Sequence, residues 1–107
     1  MTTNKKSGAA RLEKQLGPMS IGSFLRSWRL AEDISQREFA ESLSMSAANL
    51  CDIEKGRKGV SPQKAAEIAR LIGYSEKVLV ELALKELLEE AGLAWEVSLV
   101  KTARRAG

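Results

Sequence analysis

The chain has 107 residues, of which 44% are apolar and 29% charged, with a formal net charge of +3. One cysteine and no histidine exclude an internal disulfide framework, the usual zinc sites and histidine-based catalysis, so no metal, no cofactor and no enzymatic reaction is expected. No run approaches the ~20 apolar residues that span a bilayer and no charged-then-apolar leader is present, so the expectation is one small cytoplasmic domain with a single core and no membrane.

Charge divides the chain. Residues 1–19 and 92–107 are basic, 20–60 balance, and 61–91 lean acidic, so the tails carry the excess and the body does not. The reading is a basic, partly disordered arm over 1–19, a folded domain over 20–91, and a C-terminal strand with a basic tail over 92–107. Residues 1–8 have no apolar period. Ala9, Leu12 and Leu16 share one helical face, with Ser7 as cap and Gly17-Pro18 as stop. Lys5, Lys6, Arg11 and Lys14 read either as a solvated tail or as an arm that follows DNA phosphates.

Ser20 to Glu32 is predicted helical, with Ile21, Phe24, Leu25 and Trp28 as its apolar stripe. Trp28 belongs to the core at this spacing, and Arg29, at the edge of the stripe, faces inward. Asp33, which follows this helix, tolerates left-handed geometry better than most residues. Two short helices then meet at a corner. Ser35 and Glu38 form a capping box, Phe39, Ala40 and Leu43 recur at helical intervals, Met45 falls out of step, and Ser46 caps a second stripe of Leu50 and Ile53. Ala40, placed at the crossing, lets the backbones approach.

Ser61-Pro62 caps and opens the next helix, packed by Ala65, Ala66, Ile68, Ala69, Leu71 and Ile72 as far as Gly73. A long helix runs from Ser75 to Ala91 with Val78, Leu79, Leu82, Ala83, Leu87 and Leu88 on a face that Val80 and Leu84 widen beyond what one small domain buries. Past Gly92 the alternation of Leu93, Trp95, Val97 and Leu99 predicts a strand, the only convincing one in the chain.

Gln36, Ala40, the apolar set Phe39, Leu43, Met45, Leu50 and Ile53, then Glu54-Lys55-Gly56 and Ser61-Pro62, over roughly Ile21 to Ile72, resemble the lambda-repressor-like helix-turn-helix proteins (Cro-type, xenobiotic-response-element family). The resemblance implies an all-α, five-helix DNA-binding domain, here with a short C-terminal β-strand and the motif at residues 36–55. It also implies an ion pair between Arg29 and Glu54 that joins the first helix to the recognition helix. Ser44 stands where the family usually has Gly in the corner, a position of positive φ.

By 100° steps the recognition helix presents Ala48, Cys51, Asp52 and Lys55, flanked by Ala47 and Asn49. Ala47 and Ala48 offer methyl contacts to thymine, Asn49 a phosphate or adenine contact, and Asp52 either a cytosine contact or an ordinary exposed acid. Cys51 reads as a tolerated small residue or as a redox switch. Gln36 and Arg37 suit phosphates at a helix start, with Ser46 at the next start, and Arg57 and Lys58 suit them from the GRKG turn, with a solvated basic turn as the bland alternative.

A lone strand leaves its backbone groups unpaired, so Leu93 to Val100 is expected to pair with the same residues of a second chain, over a floor that includes Leu84, Leu87 and Leu88. The function that follows is a homodimeric, sequence-specific, double-stranded DNA-binding transcriptional regulator of repressor type. The alternative is an antitoxin that binds a toxin protein through its long helix and strand and autoregulates its operon.

Overall fold

The computed structural model describes residues 19–102. The basic N-terminal arm, the helix expected over residues 9–16 and the end of the basic tail lie outside the described residues. Among those described are five helices: α1 Ile21–Ala31, α2 Gln36–Ser42, α3 Ala47–Glu54, α4 Pro62–Ile72 and α5 Glu76–Glu90.

Every one of these helices starts on a serine. Ser20, Ser35, Ser46, Ser61 and Ser75 hold extended backbone, and each accepts from the amide three residues on, satisfying one of the donors that a helix start leaves open. Ser35 and Glu38 complete the capping box. The ends are as uniform. After α1, the amides of Asp33 and Ile34 donate to Leu30 and Arg29 carbonyls; after α2, those of Ser44 and Met45 donate to Glu41 and Ala40. This paired closure needs one residue in the left-handed region, and Asp33 and Ser44 fill it, both at φ 58°.

The local signals set the helices, and burial joins them. Phe24, Leu25, Phe39, Leu43, Leu50, Ile68 and Leu79 are fully buried, and Ala40, Ala65, Ala69 and Ala83 are buried among them. Trp28 is half-buried and joins Phe24 and Tyr74 in an aromatic cluster with centroid separations of 4.8 to 6.1 Å. Val80 and Leu82 lean on the core as well, so part of the wide face of α5 is occupied within the chain. Glu86 of α5 accepts from the Ile21 amide at the start of α1, placing a carboxylate at a positive helix end.

The C-terminal strand is not seen. Residues 93–102 carry no ladder, because a strand exists only through a partner and no other described segment is extended enough to supply one. The segment instead turns at Gly92 (φ 74°) and comes back beside α5, where the Leu99 amide donates to Glu81 Oε2 at 2.8 Å. Val97 and Leu99 are half-buried by this contact, while Trp95 stays 70% exposed.

Candidate nucleic-acid interface

The recognition helix α3 is held from two sides. Its Ile53 carbonyl lies against Gly22 of α1, so closely that a Cβ at Gly22 would stand 2.0 Å from the oxygen. One residue on, the Glu54 side chain points inward and is 2% exposed. Arg29 Nε donates to its Oε2 at 2.9 Å and Nη2 to its Oε1 at 3.1 Å, the paired geometry that matches a guanidinium to a carboxylate. Gln36 Nε2, from the start of α2, donates to the same Oε1 at 3.0 Å. The amide nitrogen has to face Glu54 there, since a carboxylate only accepts. Arg29 Nη1 also donates to the Ile34 carbonyl at 3.3 Å. The hydrogen bonds it donates to Glu54 hold the Arg29 guanidinium above its ordinary pKa, against the opposing effect of burial.

Arg29, Gln36 and Glu54 thus tie α1, α2 and α3 at one buried point. Gln36, expected as a phosphate ligand, spends one amide N–H on Glu54. Nothing in the spacing of the sequence announces that contact. Gly22 was missed altogether; a glycine inside an otherwise amphipathic helix was the signal.

This bracing leaves the opposite face of α3 in solvent. Ala47, Ala48 and Lys55 are exposed, Cys51 and Asp52 half-buried at its edge, and Arg37 projects from the adjoining turn of α2. Two of the expected phosphate ligands fold back onto this face. The amides of Arg57 and Lys58 donate to the Asp52 carbonyl at 2.8 and 3.3 Å. Arg57 Nη1 pairs with Asp52 Oδ1 at 3.3 Å, and Lys58 Nζ donates to Asn49 Oδ1 at 2.6 Å. The turn therefore brings a cation to the Asp52 carboxylate at the edge of this face, and Arg57, 65% exposed, keeps the rest of its guanidinium in solvent. Ser46 spends its hydroxyl oxygen on the Asn49 amide, so its part is to set the helix start.

Among the described residues no cluster of three metal-binding side chains occurs, and no helix is long and apolar enough to cross a membrane.

A short helix, a tight corner and a second short helix braced from behind with an exposed, lightly decorated outer face make a helix-turn-helix. Residues 20–82 match the family model described as "Helix-turn-helix domain", more than half of the chain, and the protein belongs to that family of DNA-binding domains. No curated protein and no solved structure matches it.

Proposed function

We propose that the protein is a sequence-specific regulator of transcription, repressor-like and of the Cro-type (xenobiotic-response-element) branch, that binds double-stranded DNA as a cytoplasmic homodimer and catalyses no reaction. The observation that carries this reading is the bracing of α3: the buried Arg29–Glu54–Gln36 contact fixes the angle at which Ala47, Ala48, Asn49, Asp52 and Lys55 face outward. Small and polar residues on that face favour close entry into a major groove, with base contacts few and phosphate contacts from Gln36, Arg37, Arg57 and Lys58 supplying most of the affinity. Two recognition helices held about 34 Å apart would enter successive grooves on one side of the duplex. The apolar Leu84, Leu87, Leu88, Leu93, Trp95, Val97 and Leu99 are the dimer surface in this reading.

Selection of bound fragments from random duplex DNA tests it. One recurrent, near-palindromic sequence is the expected result, and recovery without any enrichment overturns it. A second reading, the antitoxin, draws on the exposure of Leu87, Leu93 and Trp95, which also suits a toxin enzyme as partner. Co-purification of a small toxin with the chain, and rescue of cells from it, would favour that reading.

A further inference from the structure

We infer that the C-terminal segment, residues 93–102, is exchanged between two copies of this chain, each segment lying in the groove on α5 of the other. The inference rests on the homodimer proposed above. The groove is lined by Val78, Glu81, Leu82 and Lys85 from α5 and by Trp95, Glu96 and Val97 from the returning segment. Its volume of about 230 Å³ falls below the ~300–1,000 Å³ of small-ligand pockets. The returning segment forms one wall of the groove, with an apolar side chain at every second residue from Leu93 to Leu99 and the Leu99 amide donating to Glu81.

Seated on its own α5, the segment is only partly used. Trp95 is 70%, Val100 85% and Leu93 46% exposed, next to Leu87 at 48%, and residues 94–98 form no ladder. Exchange keeps the segment's hydrogen bond to α5. The Leu99 amide meets the Glu81 carboxylate of either chain with the same chemistry, so the swap gives up only the turn, in which the Leu93 amide donates to the Leu88 carbonyl at 2.9 Å. It also adds contacts. Two segments crossing near a twofold axis bring their Trp95 and Leu93 side chains together and let the backbone groups of residues 94–98 pair as antiparallel strands, which one segment alone cannot do. The hinge is Gly92, whose left-handed backbone sends the segment back along its own helix; as a glycine it takes an extended conformation as readily. The alternating pattern that reads as a strand in the sequence and the missing ladder in the single chain then have one cause.

Cross-linking of full-length chains tests the exchange, with Cys51→Ser as background. One chain carries Lys85→Cys and the other, mass-tagged, carries Val97→Cys; the two are mixed, refolded together and treated with a short bismaleimide. The expected product is the mixed dimer, roughly tenfold over like-with-like products. A single chain bearing both substitutions is the control. A dimer by light scattering whose control links only within the chain overturns the exchange while the homodimer stands. A monomer at every concentration overturns both, and DNA selection still judges the regulator reading separately. No cross-link of either kind overturns the groove itself as the segment's position.

Discussion

Gln36 Nε2 donates to Glu54 Oε1 at 3.0 Å, joining the first residue of α2 to the last residue of α3 beneath the outer face of the motif. The same carboxylate takes both arms of Arg29. Three donors on one carboxylate that is 2% exposed make this point stiff, because an unpaired charge there has no water to fall back on. Glu54→Ala should therefore lower stability by about 3–5 kcal/mol, leaving Arg29 buried without its partner. Gln36→Ala should cost about 1.5–3 kcal/mol, the range for a hydrogen bond to a charged group. Thermal melting measures both; a loss under about 1 kcal/mol for Glu54→Ala would equate the pair with an exposed one.

Gly22 gives the sharpest steric prediction. An added methyl meets the backbone oxygen of Ile53 at 2.0 Å, and backbone cannot swing aside as a side chain can. Gly22→Ala should destabilise by roughly 3 kcal/mol, at the upper end of overpacking costs, although alanine is the better helix former. A melting temperature equal to that of the parent would show that α1 and α3 lie farther apart.

The two helix ends closed without glycine point the other way. Asp33 and Ser44 both sit at φ 58°, where an ordinary side chain crowds its own carbonyl at a cost of about 1–2 kcal/mol. Ser44→Gly should stabilise by about 1 kcal/mol, raising the melting temperature by roughly 4–8 °C in a domain of this size. Asp33→Gly should gain less, since aspartate suffers least in that region. Equal and opposite losses from the two would mean their side chains are engaged.

What could be read from the sequence divides along physical lines. The five serine caps, the capping box and the stripe of Phe24, Leu25, Phe39, Leu50 and Ile53 are local rules, and local rules are written in spacing. Positive φ at Ser44 and Asp33 was legible only through the family resemblance, which places glycine at such positions. The contact between Gln36 and Glu54, the close approach at Gly22 and the packing of Tyr74 on Phe24 depend on how helices distant in sequence are brought together, and no periodicity encodes that. For Leu93 to Leu99 the pattern was legible and the partner was not: alternation specifies which side chains share a face, while a ladder needs a second strand.

Glu81 makes the C-terminal segment sensitive to acid. The hydrogen bond from the Leu99 amide holds its carboxyl below the ordinary 4.5, against the opposing effect of burial and with smaller help from Lys77. A depressed folded pKa means that the stabilisation is fully present above the unfolded value and is lost as pH falls through the folded one. Detachment of the segment should thus begin below about pH 4.5, with no change between pH 6 and 8. The Leu99 amide resonance followed by NMR during acid titration reads this directly. In Glu81→Gln the transition should vanish; its persistence would assign the acid step to another carboxylate.

The last prediction concerns Arg57, whose guanidinium pairs with Asp52 at 3.3 Å while remaining 65% exposed. An exposed pair of this kind is weak, since solvent screens it, so a DNA phosphate can compete for the guanidinium without a large penalty. Arg57 then contributes affinity and no sequence information, because phosphates are alike on every duplex. Arg57→Ala should weaken binding to operator and random DNA in equal proportion and reduce the magnitude of the salt slope by roughly 0.9. Ala48 stands differently, exposed on the outer face of α3 with a methyl as its only means of contact. Ala48→Gln introduces a side chain that can pair with adenine, and it should change the preferred sequence while leaving the salt slope as it was. Titrations of both variants against operator and random duplex at several salt concentrations separate the two effects. An unchanged salt slope in Arg57→Ala would remove the turn after α3 from the interface, and an unchanged sequence preference in Ala48→Gln would mean that this face of α3 does not reach the bases.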